Sequence, residues 1–107
     1  MIKNLTPHAI NLIVDKEQIV LEPEGVVPRV ATIEHKLDDG EYPFVAVEID
    51  YGEIVDLPEP EEGVILVVSK MCCDASPGRK DLWYPTRLLR DEKGRIVACG
   101  ALARNTA

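Results

Sequence analysis

The chain has few aromatic residues: one Phe, one Trp and three Tyr in 107. Its core must therefore be aliphatic, and the β-branched Val and Ile that dominate its apolar residues favour sheet over helix. Cysteine is scarce as well. There are three, and Cys72 and Cys73 are adjacent, a spacing that cannot close an ordinary disulfide without severe strain. No Cys-x-x-Cys pair occurs, which argues against a zinc knuckle or a thioredoxin-like couple, and reduced thiols are the expectation. Histidine is limited to His8 and His35. With no His-Glu-x-x-His and no Gly-x-Ser-x-Gly, catalysis has no motif behind it, and no metal or other cofactor is implied. No apolar run approaches the ~18 residues that span a membrane. The opening Met1 to His8 lacks the apolar stretch of a secretory signal, so the expected location is the cytoplasm, with no membrane attachment.

Basic charge is also missing from most of the length. From Met1 to Ser69 there are 15 acidic residues against four basic ones, a net of −11; from Lys70 to Ala107 there are eight basic against four acidic, a net of +4, and the two sum to −7. Such a split can be used internally, the acidic part facing the basic part. It can also be used externally, with the basic third presenting a local anion site on an acidic body. The overall negative charge argues against binding a long nucleic acid, whose affinity rests on phosphate neutralisation. A small anion is still tolerated.

At this length the chain is one domain, residues 1–107, with a single core. Ile10, Leu12 and Val14 share one face of a strand, Asp15-Lys16 offers a turn, and Gln18 to Glu22 reads as the returning strand. Pro23-Glu24-Gly25 breaks it. A longer strand runs from Val27 to His35. Asp38-Asp39-Gly40 is a hairpin signal, followed by Phe44 to Asp50 with Val45, Val47 and Ile49 on one face. Tyr51-Gly52 marks a bend before Glu53 to Leu57, and residues 58–63 form a solvated Pro-Glu loop. Val64 to Val68, five apolar residues in a row, is the candidate for a central strand covered on both faces. Ser69 is a helix N-cap for Lys70 to Ser76, which Pro77-Gly78 stops. Thr86 to Arg90 and Arg95 to Leu102 read as a hairpin, and residues 103–107 as a frayed tail. The expected fold is mainly β (α+β): a single small antiparallel or mixed sheet, barrel-like, with one short helix near residues 70–76.

Three stretches are candidate sites. Asn4, Thr6 and His8 surround a turn proline; they either form an ordinary Asx or Ser/Thr turn or make a polar pocket wall with a partly exposed His8 at its rim. At Ser69 a strand enters a helix beside Lys70, Arg79 and Lys80, a place suited to an anion, although no phosphate-loop glycine pattern accompanies it. Cys72 would sit in the first helical turn, where a thiol's pKa falls, or simply pack inward. Arg79, Asp81 and Trp83 lie in a loop ending at Pro85, which offers either a stacking contact for a ligand or partner, or a Trp that plugs the core edge. Arg29 and Arg87 complete the cations of a candidate anion site.

Asn4-Leu-Thr-Pro-His8, Gly25 to Val30 with Arg29, Tyr51-Gly52, Leu57-Pro-Glu-Pro60, Val68-Ser69, Arg79-Lys-Asp-Leu82 with Pro85, and Arg90-Asp-Glu-Lys-Gly-Arg95 with Cys99 run over nearly the whole chain. In these the chain resembles a family of small uncharacterised proteins encoded in bacteriophage and bacterial genomes. It departs from the family pattern at Lys80, where an acid is expected, which argues against an acid's role there. The resemblance implies no activity; its phage setting implies an accessory role such as counter-defence, in the host cytoplasm.

The function expected from these features is non-catalytic binding of a nucleotide-like, phosphorylated small ligand or of a host protein. The alternatives are a small hydrolase or transferase using His8 or Cys72, and a virion or assembly component. A homo-oligomer is compatible with each. A pocket gathering His8, Arg29 and Arg79 would favour a ligand or a reaction; an exposed apolar patch would favour assembly.

Overall fold

The computed structural model describes residues 1–37 and 40–107. Its strands are β1 (Ile2–Asn4), β2 (Ile10–Val14), β3 (Glu17–Leu21), β4 (Arg29–Lys36), β5 (Val47–Val55), β6 (Ile65–Val67), β7 (Leu82–Arg90) and β8 (Ile96–Arg104), with one helix, α1 (Lys70–Asp74), between β6 and β7. The protein is mainly β, as its β-branched composition dictates. Six strands form one mixed sheet in the order β1-β6-β7-β8-β2-β3, and β4 and β5 form a separate two-stranded ribbon. Among the described residues no helix is long and apolar enough to cross a membrane.

The six-stranded sheet curls into a half-barrel. Its two edges meet where Asn4, at the end of β1, bridges Pro23, just beyond β3; the Glu24 N–H donates to the Asn4 carbonyl at 2.9 Å. Inside the curl, Leu5, Leu66, Val68, Cys72, Cys73 and Leu82 form one buried cluster. The apolar run near residue 65 is central as expected: β6 lies between β1 and β7, parallel to both, and Leu66, Val67 and Val68 are all buried. Burying a branched aliphatic side chain of this kind stabilises by about 1.5–3 kcal/mol.

Local chemistry explains the turns. Asp15 and Lys16 both have positive φ, 49° and 69°. That is the two-residue type I′ turn whose twist matches a hairpin, and Val14 pairs directly with Glu17. Ser69 caps α1 by accepting from the Cys72 N–H at 3.1 Å. The helix closes after five residues, shorter than the expected Lys70 to Ser76.

One strand was not foreseen and three expectations need correction. Ile2–Asn4, which carried no assignment, is a strand, paired with β6 through backbone bonds that one apolar residue in three does not announce. The bend expected at Tyr51-Gly52 is a bulge inside a continuous β5: Val30 pairs with Ile54 but Thr32 with Tyr51, so Gly52 and Glu53 of β5 together oppose Ala31 of β4.

The loop expected through Pro85 is strand from Leu82 onward. The Leu82 carbonyl accepts from Asn105 of the β8 side and the Trp83 carbonyl from Val68 of the β6 side, so odd residues of β7 turn their backbone toward β6. Pro85 lies on that side, beyond the point where β6 pairing ends at Trp83, and its missing N–H costs the sheet nothing. Finally, the segment 103–107 is held and not frayed. Ala103 and Arg104 end β8, Asn105 is buried, its Nδ2 donates to the carbonyls of Ser76 (2.8 Å) and Arg79 (3.2 Å), and Gly78 N–H donates to the Ala107 carbonyl at 2.9 Å. The expected hairpin turn at Asp38-Asp39-Gly40 falls on Asp38 and Asp39, outside the described residues.

The β4–β5 ribbon gives the molecule its outline. Extents of 54 × 39 × 24 Å and a radius of gyration of 16.7 Å exceed the roughly 13 Å of a compact chain this long. Val30, near the base of the ribbon, packs on the core, while Val55 at the same end and Ile33 and Ile49 farther out are exposed. The ribbon is an arm.

Candidate functional site

The Asn4 side chain is 1% exposed and fully used. Its Nδ2 donates to the carbonyls of His8 and Leu21, each at 2.8 Å, and its Oδ1 accepts from the Thr6 N–H at 2.9 Å and the Thr6 hydroxyl at 2.6 Å. The Thr6 Oγ1 also lies 3.0 Å from the His8 carbonyl. These bonds fasten the β1 end to β3, across the seam of the half-barrel. Asn4 and Thr6 are thus engaged with each other and the backbone inside the fold, in an Asx turn. His8 joins through its backbone carbonyl alone, and its side chain is exposed.

Arg79 and Asp81 form a fork. Arg79 Nε and Nη2 each donate to one Asp81 oxygen at 2.9 Å, and Nη2 also donates to the Pro58 carbonyl at 2.8 Å. Side-chain exposures of 22% and 14% make this a partly buried pair. The hydrogen bonds from Arg79 hold the Asp81 carboxyl below its ordinary pKa, and those to Asp81 raise that of Arg79. The guanidinium that an anion would need is tying the 58–63 loop to the start of β7.

Ser69 is exposed, but its Oγ is the cap acceptor. Trp83 is half-buried, with the Arg104 guanidinium 5.8 Å from its ring centre, so its stacking partner comes from β8. Arg29 starts β4, paired with Val55 on the ribbon, and Arg87 is exposed on β7. The nine residues thus fall into separate places: the β1–β2 connection for Asn4, Thr6 and His8, the ribbon base for Arg29, the helix region for Ser69, Arg79, Asp81 and Trp83, and mid-β7 for Arg87.

Cys72, Cys73 and Cys99 are free and buried. Burial pushes each thiol's pKa up, that of Cys73 to about 11, opposite to what a nucleophile requires. Among the described residues no group of three or more His, Cys, Asp or Glu is arranged to hold a metal ion.

A cavity of about 270 Å³ does open between β2, β7 and β8, where the two parallel neighbours β2 and β8 pair only through Leu12 and Cys99. Its walls include Ile10, Pro85, Leu88, Ile96, Val97 and Cys99, and none of the nine candidate residues lines it. It is smaller than the roughly 300–1,000 Å³ of a small-molecule site, and its walls are mostly apolar apart from Asn11.

Two features went unread in the sequence. One is the arm itself: Val45, Val47 and Ile49 alternate as a buried face would, yet Val45 is 70% and Ile49 57% exposed. The other is how the charge split is used. Among the described residues the ion pairs are His35–Asp50, Lys70–Asp74, Arg79–Asp81 and Arg95–Asp91. Each stays within its own part of the chain, and none joins the acidic part to the basic third. The chain matches no family model, no curated protein and no solved structure.

Proposed function

We propose that this protein is a non-catalytic binding module acting by protein–protein contact through the β4–β5 arm, as an assembly or accessory component in the cytoplasm. The observation that carries the reading is a ribbon whose outer apolar side chains have no cover. Cross-strand partners share a face, so Ile49 and Glu34, Tyr51 and Thr32, and Val47 and Lys36 lie together on one side of the ribbon. An isolated two-stranded hairpin is marginal in water. This one exposes Ile49 and Tyr51 on that side and Ile33 and Val55 on the other, and uncovered apolar side chains of this kind mark interaction sites.

The other readings have less behind them. A nucleotide-like anion has lost Arg79 to Asp81 and Ser69 to the helix cap. A reaction through Cys72 has a buried thiol of raised pKa.

The test is a photo-crosslinking residue placed at Ile49 and, as a control, at Glu17 on the β2–β3 hairpin, in living cells. Protein adducts from position 49 well above those from position 17 are expected. Equal or absent adducts, with the purified variants folded, would overturn the reading.

A further inference from the structure

The cavity between β2, β7 and β8 and the exposed Arg87 lie side by side, away from the arm. Pro85 and Leu88 of the cavity wall flank Arg87 on β7, and Ala98 and Cys99 come just before Gly100, which faces Arg87 across the ladder. Arg87 holds φ at 51° within a strand that stays paired on both sides of it, at Thr86–Ala101 and Leu88–Cys99. That conformation suits glycine, and an arginine holds it at a cost in stability. A bend in β7 alone would be met better by glycine. Gly100 makes room for the arginine: a Cβ there would lie 3.3 Å from the Arg87 Cβ and 3.9 Å from its Cδ, so the stem runs over Gly100, next to the wall and not in it. The strands β7 and β8 hold Arg87, Arg90 and Arg104 and no acidic residue. Arg90 donates to the Gly94 carbonyl and Arg104 lies over the Trp83 ring. Arg87 has no carboxylate partner among the described residues, and Asp91, in the turn beyond Arg90, is bound to Arg95.

We propose that the cavity and Arg87 together bind a small organic anion, a carboxylate on an apolar ring or branched chain, with its body in the cavity and its head on the guanidinium. The walls match such a body. They are aliphatic apart from the Cys99 thiol and Asn11, whose Nδ2 already donates to the Val97 carbonyl at 3.1 Å. An apolar cavity of about 150 Å³ holds benzene, so one of about 270 Å³ admits a ring with a short chain. A guanidinium meets a carboxylate through two parallel hydrogen bonds, which fixes the head. Position 87 then has a reason to carry arginine in a glycine conformation. This site goes beyond the role of the arm and stands or falls without it.

The experiment is an amide chemical-shift titration of the purified full-length protein with benzoate, cinnamate and isovalerate, each beside its matching alcohol. At least one acid should shift Leu88, Ala98 and Cys99 saturably. Its alcohol should bind roughly tenfold more weakly, the factor expected for losing a hydrogen-bonded charge. Arg87→Gly should lose the same factor for the acid, keep the affinity for the alcohol, and melt no lower than wild type. That combination separates a lost contact from a damaged fold. Ala98→Phe should fill the cavity and weaken acid and alcohol alike. No saturable shift at these residues with any of the three acids would overturn the inference. So would an alcohol that binds as well as its acid, an Arg87→Gly protein that binds the acid as wild type does, or a folded Ala98→Phe protein whose binding is unchanged.

Discussion

Replacing Asn4 by Ala removes a side chain that holds the two edges of the half-barrel together. Four hydrogen bonds go with it, two donated to the carbonyls of His8 and Leu21 and two accepted from Thr6. The His8 carbonyl keeps the Thr6 hydroxyl nearby at 3.0 Å, so its loss is partly relieved. The Leu21 carbonyl and the Thr6 N–H have no such substitute. A buried polar group left unpaired costs about 1–3 kcal/mol, which places the whole substitution at roughly 2–4 kcal/mol. Asn4→Asp keeps both acceptor roles but sets a carboxylate oxygen against two carbonyls. It should be at least as damaging at neutral pH, and less so as acid protonates it. Urea unfolding followed by circular dichroism measures the change, and the denaturant slope should stay constant. A loss below about 0.5 kcal/mol for Asn4→Ala, the low end for a single net hydrogen bond, would refute the seam and return Asn4 to the role of a ligand-facing residue.

Arg79→Ala should cost about 1–3 kcal/mol, since it leaves the Asp81 carboxylate and the Pro58 carbonyl without their donor. Because Arg79 lowers the folded pKa of Asp81 from 3.8, that stability is present above the unfolded value and lost as pH falls through the folded one; an acid series of melts should be steeper for wild type than for Arg79→Ala. At the alkaline end the sign is reversed. Burial raises the Cys73 pKa from 9.0 to about 11, so stability is full below pH 9 and falls as pH rises through 11, by up to about 2–3 kcal/mol; Cys73→Val should flatten that decline in thermal melts. Arg87 holds φ at 51° in the middle of β7, opposite Gly100, where an added Cβ would come within 3.3 Å of the Arg87 Cβ. Arg87→Gly should therefore raise stability by about 0.5–1 kcal/mol in urea titration, and a lower value would mean that the side chain contributes more than its backbone strain costs.

The parts of this fold that were legible in the sequence are those set by local chemistry. Alternation at Ile10, Leu12 and Val14, the Asp15-Lys16 turn, the Val64 to Val68 run and the Ser69 cap each depend on a few neighbouring residues, and each appears in the structure. The features that stayed hidden depend on distant partners. β1 exists because β6 lies beside it, and Pro85 is tolerated in β7 because β6 ends two residues earlier. Gly52 was a true signal of irregularity, but a bulge and a bend look alike until the opposing strand is known. Composition also misled at the candidate site. Asn4, Thr6, Arg79 and Asp81 are the residue types that read ligands, and here they satisfy one another and the backbone instead. Alternation on β5 was visible too, but periodicity cannot say whether the apolar face has anything to cover it.

Hydrogen exchange along the arm tests the central claim most directly. The purified protein is measured by mass spectrometry at a dilute and a concentrated condition, and again in extract from its own cells. If the arm is the working surface, peptides covering 29–36 and 47–55 gain protection on concentration or in the extract, while those covering 65–74 in the core do not change. Arm exchange that is the same in all three conditions would contradict the claim.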